Sequence, residues 1–293
     1  MEKYKALIVE SLKKYFDEYS KNSSYSKKLW DAMAYTTLLE GKRLRGIMCL
    51  EIANLFNCNL ENVIATSCAL EIMHAYSLIH DDLPCMDNDD LRRGKPTNHK
   101  VFGEAIATLA GDALISFGAH LIIEKTPKTI KSKTILKIVD EYLKCAGAQG
   151  IVSGQVADIE AEGKNINLDN LQYIHKYKTG ALFATSVVCP ALIAECEDKT
   201  IEKLKEFGYN FGLLFQIYDD IIDTTCTTEE IGKTAGKDKI VNKLTYISAW
   251  GLDKTRELFK NELNKNKNML EELNIKSSIF NQIYSKLEER TRI

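Results

Sequence analysis

The sequence predicts an all-α protein, and three observations support that prediction. Apolar residues recur at helical spacing along most of the 293 residues, for example at Cys68, Ile72, Tyr76 and Ile79. The 4 prolines and 16 glycines are too few for the frequent turns of a β-sandwich or barrel. Hydrophobic residues (45%) are numerous enough to bury a large core. We therefore expect one large helical bundle that forms a single domain over 1–293.

Six segments show the helical period: 60–79, 105–124, 134–156, 169–195, 200–223 and 241–262. These segments are apolar on more than one side, which is typical of helices in the middle of a bundle. The breaks between them are too short and too poor in Pro and Ser to be interdomain linkers. No stretch approaches 18 consecutive apolar residues, so we expect no membrane span.

Charge and cysteine usage limit the class of protein further. The chain has 39 basic and 41 acidic side chains, a net charge of −2, which excludes a broadly polycationic nucleic-acid-binding protein. The eight cysteines are scattered and form no C-x-x-C pair, and the N-terminus does not resemble a secretory signal. We therefore expect reduced thiols and a cytoplasmic location.

The first concentration of carboxylates follows the apolar stretch that ends near Ile79. It contains Asp81, Asp82 and Asp87, and then Asn88-Asp89-Asp90. Asp81 and Asp87 are six residues apart, which a straight helix would place on different sides. Pro84 predicts a break there, and a kinked end would bring Asp87 back toward Asp81.

The second concentration of carboxylates contains Asp219, Asp220 and Asp223. On a helix, Asp219 and Asp223 stand at i and i+4 and therefore share a face, with Gln216 one turn earlier. Carboxylates this dense at the ends of apolar helices repel one another unless a cation lies between them. Oxygen ligands suit Mg²⁺, which commonly bridges carboxylates to substrate phosphates.

Two other phosphate- or metal-binding motifs are excluded by their spacing. An EF-hand loop starting at Asp87 would need Gly and Glu at its sixth and twelfth positions, which are Arg92 and Asn98. A P-loop at Gly232–Lys237 fails because three residues, not four, separate its glycines.

A diphosphate substrate would also need basic side chains. Arg92 and Arg93 directly follow the first aspartates, and guanidinium groups match phosphate oxygens bidentately. His74 lies two helical turns before Asp81. The other candidate cations are Lys42, Arg43, Arg45, Lys178, Lys233 and Lys243.

These motifs resemble the trans-isoprenyl diphosphate synthase (polyprenyl synthetase) family. The resemblance rests on the paired D-D-x-x-x-x-D and D-D-x-x-D clusters, on Gly41-Lys42-Arg43-Leu44-Arg45, and on Leu91-Arg92-Arg93-Gly94. It covers the chain from about Gly41 to Tyr246, and short-chain bacterial farnesyl and plastid-type geranylgeranyl diphosphate synthases are the most similar members. It implies an isoprenoid-synthase bundle with a central substrate cavity, isoprenoid diphosphates as substrates, and a homodimer.

The resemblance also implies roles for single residues. Asp81, Asp87 and Asp219 would bind about three Mg²⁺ ions at an allylic diphosphate, with Asp82, Asp220 and Asp223 assisting. Arg92, Lys178 and Lys233 would bind the same diphosphate as it leaves. Lys42, Arg45, His74 and Arg93 would bind isopentenyl diphosphate, and Thr179 and Gln216 would face the allylic carbocation. Lys243 remains a further candidate for substrate binding.

Product length depends on which side chain closes the chain-elongation pocket. Tyr76 lies five residues before Asp81, about 7.5 Å along a helix at about 1.5 Å per residue, and Ser77 is its neighbour. A bulky ring there predicts a short product, farnesyl diphosphate (C15), made from dimethylallyl and geranyl diphosphate. The geranylgeranyl relatives often carry a smaller or flexible residue at this position, yet Pro84–His99 resembles those relatives too, so a C20 product is the alternative.

Two further functions fit the same fold. Terpene cyclases share the bundle and the metal-triggered ionisation, but they typically carry an N-S-E-type second motif in place of Asp219-Asp220-x-x-Asp223. A non-catalytic regulatory subunit would usually lack one of the aspartate motifs, and here both are intact.

Overall fold

A computed structural model of the chain describes residues 1–21, 24–164, 167–227 and 245–291. Within these ranges the chain is almost entirely helical, so the predicted all-α class is confirmed. The α-helices are α1 (Glu2–Ser20), α2 (Lys27–Leu38), α3 (Leu44–Leu55), α4 (Ile64–Asp81), α5 (Asn98–Phe102), α6 (Glu104–Lys125), α7 (Ser132–Ala146), α8 (Ile151–Ala161), α9 (Leu168–Ile174), α10 (Ala181–Ile193), α11 (Asp198–Thr225), α12 (Tyr246–Trp250), α13 (Leu252–Glu272) and α14 (Ser278–Thr291). A 3₁₀ turn covers Leu60–Asn62, and a π-helix covers His175–Gly180. Strands β1 (Leu91–Arg92) and β2 (Lys95–Pro96) form a short antiparallel ribbon.

The chain divides into two compact units. Unit 1 comprises Met1–Leu143 and Cys189–Glu195, and unit 2 comprises Lys144–Val188 and the described part of Cys196–Ile293. The prediction that 1–293 is a single polyprenyl synthetase domain stays a prediction.

In unit 1 the buried helix α4 packs against α6, α3, α2 and α1. Its apolar side chains, including Leu70, Ile72 and Ile79, are fully buried, as its sequence pattern predicted. Close contact with α6 depends on a glycine: a Cβ at Gly111 would lie 2.0 Å from Nε2 of His80. The result is that the C-terminal end of α4, which bears the first aspartates, is held firmly against α6.

In unit 2 the long helix α11 packs against α13 and the π-helix, and α8 covers another side of the π-helix. Glycines again allow the backbones to approach. A Cβ at Gly154 of α8 would lie 2.1 Å from the amide nitrogen of Lys178, and one at Gly212 of α11 would lie 2.4 Å from Cα of Gly180. The π-helix therefore packs closely against both α8 and α11.

Two predicted helices are interrupted in the structure, and a third contains a π-helix. The segment 134–156 divides into α7 and α8, because Gly150 has a non-helical backbone in which any Cβ would lie 2.1 Å from the carbonyl oxygen of Cys145. The described part of 241–262 divides at Gly251, whose φ of 80° lies in the left-handed region. The segment 169–195 stays helical but passes through the π-helix.

Helix α6 is the one described helix that is long and apolar enough to cross a membrane by composition alone. Its most apolar 18-residue window has a mean hydropathy of 1.7, and 44% of that window is buried. Ala107, Leu114 and Leu121 are fully buried in unit 1. A core helix of a globular protein has the same composition, so α6 does not indicate a membrane span.

Candidate active site

The first aspartates lie where α4 ends and the chain reverses. Asp81 is the last residue of α4, and the amide of Asp87 donates a hydrogen bond of 2.9 Å to the carbonyl oxygen of Asp81. The amide of Asn88 donates to the carbonyl oxygen of Leu83 (3.1 Å). The break at Pro84 thus brings Asp87 back beside Asp81, and both side chains are half-buried at the same turn.

The second aspartate of this cluster faces the protein interior. Asp82 is 2% exposed and forms an ion pair with Arg92, whose Nε donates to Oδ1 of Asp82 at 3.1 Å. Burial raises the pKa of the Asp82 carboxyl to about 6, although the Arg92 guanidinium acts in the opposite direction. Arg92 also contacts Asp89 at 3.3 Å. This ion pair ties the β-ribbon to the end of α4.

Four arginines contribute positive charge near His74 in unit 1. Nη1 of Arg45 lies 3.4 Å from Nε2 of His74. Burial, together with the charges of Arg45, Arg93, Arg43 and Arg92, lowers the pKa of His74 well below its ordinary value. The imidazole is therefore neutral near pH 7. Arg43 and Arg92 are paired with the carboxylates of Glu71 and Asp82, and Arg45 and Arg93 carry the remaining positive charge. We call Arg43, Arg45, Arg92 and Arg93 with His74 the arginine cluster.

Arg93 enters this cluster because of a glycine. A Cβ at Gly41 would lie 2.8 Å from Cζ of Arg93, and Nη1 of Arg93 donates to the carbonyl oxygen of Leu39 (3.3 Å). Burial and the neighbouring Arg43 lower the pKa of Arg93 to about 10. Lys42 is exposed beside the cluster. Such an excess of half-buried positive charge favours an anionic ligand.

Tyr76 is 3% exposed, and its ring contacts the His80 ring edge-on with centroids 5.8 Å apart. Both side chains lie on the face of α4 turned toward α6, since His80 contacts the carbonyl oxygen of Thr108 (3.0 Å). The hydroxyl of Ser77 donates to the carbonyl oxygen of His74 (2.9 Å) and is thereby engaged with its own helix.

In unit 2 the second aspartates lie along one stretch of α11. The hydroxyl of Thr179 donates to Oε1 of Gln216 (3.2 Å), and Nε2 of Gln216 donates to Oδ1 of Asp220 (3.3 Å). Oδ2 of Asp220 accepts the amide N–H of Tyr246 at 2.9 Å. Asp220 (4% exposed) therefore anchors α12. Asp223 is buried and Asp219 is half-buried.

Lys178 and Thr179 are both presented by the π-helix. Single π turns occur frequently at functional sites because they displace side chains from the regular helical positions. Nζ of Lys178 donates to Oδ2 of Asp158 at 2.7 Å. Asp158 is 5% exposed and was missed by the sequence analysis. The available signal was its position as the single acid in the first nine residues of the apolar helix α8.

Lys233 and Lys243 lie outside the described residues. Among the described residues, no three His, Cys, Asp or Glu side chains are grouped as a metal-ligand set. The donors at the two aspartate clusters are carboxylate oxygens, which fit Mg²⁺, an ion that usually takes one or two carboxylates and completes its shell with water and substrate phosphate.

Comparison with known proteins identifies the family. Residues 26–284 match the polyprenyl synthetase family. The chain belongs to the polyprenyl synthetase family. The resemblance drawn from the two aspartate motifs is therefore confirmed over most of the chain.

Three relatives illustrate this membership. The chain is similar to a chloroplastic geranylgeranyl pyrophosphate synthase of Catharanthus roseus, 48% identical over 81% of this chain and 66% of the relative. It also resembles the structure of an FPP/GFPP synthase of Zymomonas mobilis (TM-score 0.79, 32% identity, 90% of each chain covered). A Helicobacter pylori geranyltransferase complexed with magnesium and isoprenyl diphosphate has a TM-score of 0.79 and 29% identity over 97% of this chain and 94% of that one.

These likenesses confirm the isoprenoid-synthase fold. The chain spans 63 to 66% of the length of the first three plant relatives that it matches.

Proposed function

We propose that this polyprenyl synthetase condenses isopentenyl diphosphate with an allylic diphosphate and releases diphosphate. The observation that carries the proposal is the close pairing in unit 1 of two opposite kinds of site. Asp81 and Asp87 are brought together at the end of α4, where a cation would be bound. The arginine cluster supplies positive charge near His74, which lies two turns earlier on the same helix. A metal-chelated diphosphate and a second diphosphate require these two kinds of site.

Asp81, Asp87 and Asp219 would hold Mg²⁺, with Asp82, Asp220 and Asp223 nearby; the family resemblance suggests about three ions. Mg²⁺ held by these carboxylates would neutralise the charge that develops on the departing diphosphate. Arg92, Lys178 and Lys233 would bind the same diphosphate. Lys42, Arg45, His74 and Arg93 would hold isopentenyl diphosphate, so that its alkene is presented to the allylic carbon.

The oxygens of Thr179 and Gln216 would stabilise the positive charge that develops on the allylic carbon as the C–O bond breaks. Their mutual hydrogen bond and the bond from Gln216 to Asp220 hold both side chains in place before the reaction. The alkene attacks, and the released diphosphate accepts the proton lost from the new chain. The reaction needs no Ser, Cys or His nucleophile.

The product we propose is farnesyl diphosphate, because the buried Tyr76 ring occupies α4 close to the aspartates. The second candidate is geranylgeranyl diphosphate, which the 48% identity to a geranylgeranyl pyrophosphate synthase favours. In both cases we propose a homodimer and a cytoplasmic location; all eight cysteines are free thiols.

The test is to incubate purified protein and Mg²⁺ with isopentenyl diphosphate and either dimethylallyl or geranyl diphosphate, and to size the dephosphorylated products by chromatography. A C15 alcohol as end point supports the main proposal, and a C20 alcohol supports the second candidate. Folded protein that condenses neither primer would refute the proposed activity. Light scattering on the same preparation measures the oligomeric state.

A further inference from the structure

Helix α4 contains a buried carboxylate that none of the proposed steps uses. Glu71 lies one turn before His74, and its side chain is 1% exposed. Oε1 accepts the amide N–H of Gly46 at 2.9 Å, and Oε2 lies 3.6 Å from Nη1 of Arg43. Both oxygens are therefore directed at the start of α3. A desolvated carboxylate is costly unless it is paired and hydrogen-bonded, and here both conditions are met by one short segment.

The start of α3 has no capping group of its own. Arg43 occupies the N-cap position with a left-handed backbone (φ 53°), and its side chain makes no cap hydrogen bond. The first amides of a helix lack intrahelical acceptors. Glu71 supplies an acceptor to the third of them, at Gly46, from a different helix. Its negative charge at the N-terminus of α3 is also favourable for the helix dipole.

Gly46 is the residue that lets α3 approach α4 so closely. A Cβ there would lie 2.8 Å from Cδ1 of Ile8, 2.9 Å from Oγ of Ser67 and 3.2 Å from Cγ of Glu71. The hydroxyl of Ser67 donates to the carbonyl oxygen of Gly46 (3.1 Å), so α4 bonds both backbone groups of this residue.

Arg43 is drawn inward by the same contact. Its side chain is 2% exposed, and its Nη2 donates to the carbonyl oxygen of Leu39 at 2.6 Å. With Arg43 held inside, its neighbours on the segment take other directions: Lys42 is exposed and Arg45 lies against His74. The buried contact therefore lies in the chain between Lys42 and Arg45, two cations whose side chains point away from it.

We infer that Glu71 is a positioning residue for the arginine cluster, one that holds the start of α3 so that Arg45 stays beside His74 and Lys42 stays accessible to an anion. The inference rests on the proposed function only in taking diphosphate as the anion. A carboxylate that acted through its charge alone would weaken anion binding, so its neutralisation would tighten binding. A positioning role predicts instead that diphosphate affinity depends on the length of the side chain at position 71 and on its hydrogen bond to the Gly46 amide.

The test is calorimetric titration of inorganic diphosphate into the full-length protein in EDTA, which keeps metal from the aspartates. Glu71→Asp retains the charge but is one methylene shorter. We expect it to weaken diphosphate binding about tenfold, equivalent to about 1.4 kcal/mol. Glu71→Gln retains an acceptor for the Gly46 amide but removes the carboxylate that pairs with the buried Arg43, so it should lower thermal stability. In the protein that remains folded we expect a diphosphate affinity within about threefold of the unmodified protein.

Glu51 provides the matched control. It is a buried carboxylate on α3, 5% exposed, and it accepts a hydrogen bond from the Tyr4 hydroxyl of α1. Glu51→Asp should lower thermal stability and leave the diphosphate affinity within about twofold. An unchanged affinity in Glu71→Asp, a tighter one in Glu71→Gln, or no diphosphate binding by the unmodified protein would each overturn the inference.

Steady-state kinetics separate positioning from loss of folded enzyme. Glu71→Asp should raise KM for isopentenyl diphosphate about tenfold while KM for geranyl diphosphate changes less than about twofold. Loss of folded protein would lower kcat and leave both KM values unchanged, which would contradict the inference. If the unmodified protein binds diphosphate in the expected Glu71-dependent manner yet condenses no substrate, the proposed function fails and the positioning role stands.

Discussion

At the residue scale, the two aspartate pairs, Asp81-Asp82 and Asp219-Asp220, show the same pattern of burial. In each pair the second aspartate is buried and bonded to protein: Asp82 to Arg92, and Asp220 to the Tyr246 amide and Gln216. The first of each pair is half-buried. The second aspartates therefore stabilise the local structure, and we propose that the more exposed first aspartates bind the metal.

The first prediction compares members of one pair. Asp219→Asn should lower kcat about 10² to 10³-fold, the usual cost of removing one charge-stabilising group, and should leave the melting temperature nearly unchanged. Asp220→Ala leaves the buried Tyr246 amide without its acceptor and should cost about 1–3 kcal/mol of stability. Product assays and urea unfolding measure the two effects. If Asp219→Asn and Asp220→Ala lost activity equally and did not differ in stability, the two aspartates would not have the separate roles proposed here.

The second prediction concerns product length. Tyr76→Ala removes the buried ring near the aspartates and should yield products longer than those of the unmodified enzyme, as measured by chromatography of the dephosphorylated alcohols. Tyr15→Ala is the control, since it removes another buried ring of unit 1, on α1. An unchanged product spectrum for Tyr76→Ala would show that the ring only fills the core.

The third prediction concerns pH. The pKa of His74 is lowered in the folded state by burial and by Arg45, Arg93, Arg43 and Arg92, so the unfolded chain binds the extra proton. Stability from this residue is complete above its unfolded pKa, about 6.5, and declines as pH falls below it, by at most about 1.4 kcal/mol per pH unit.

His74→Gln, which cannot be protonated, should show a smaller loss of unfolding free energy between pH 7.5 and 5.5 than the unmodified protein does. Urea titrations at both values measure the difference. If both proteins lost the same amount of unfolding free energy between these pH values, His74 would not take up a proton on unfolding.

At the element scale, the π-helix depends on its neighbours more than on its own sequence. Its residues 177–180 lie against Gly154 of α8 and Gly212 of α11, and it presents Lys178 and Thr179 in succession. A π turn has poor intrinsic stability, so a Cβ placed at either contact should displace both side chains.

The fourth prediction tests this contact. Gly154→Ala should destabilise the protein by about 1–3 kcal/mol and lower kcat, because the new Cβ meets the Lys178 backbone, which cannot rotate away. Val152→Ala on the exposed face of the same helix is the control and should change neither quantity much. Full activity in Gly154→Ala would show that the π-helix tolerates displacement.

At the scale of the whole molecule, each compact unit carries one aspartate cluster and its own cations. Unit 1 contains Asp81 and the arginine cluster, and unit 2 contains Asp219 and Lys178. The proposed function uses both aspartate clusters, because the family resemblance implies a role for Asp81 and for Asp219 in binding the allylic diphosphate.

The fifth prediction follows from that requirement. Asp81→Asn and Asp219→Asn should each reduce kcat severely, and the double variant should lose about as much as the worse single variant, as groups that act as a unit do. Single-turnover assays of the four proteins measure the coupling. If the fold reductions in kcat of the two single variants multiply in the double variant, the clusters act independently.

Several features were predictable because they depend on short-range pattern. Periodicity along 60–79 and 200–223 predicted α4 and α11, and the i, i+4 spacing of Asp219 and Asp223 predicted one face. The helix breaks at Gly150 and Gly251 were missed, because an apolar period continues through them while the backbone departs from helical geometry.

The sequence by itself determined the all-α class, the family, and the residue types that suit magnesium and diphosphate, because these depend on composition and on motifs within a few turns of chain. Only the tertiary structure decided which aspartate of each pair is buried, that His74 is neutral among arginines, and that Asp158 binds Lys178. Those properties depend on solvation and on partners 10 or more residues distant, and helical periodicity carries no information about such partners.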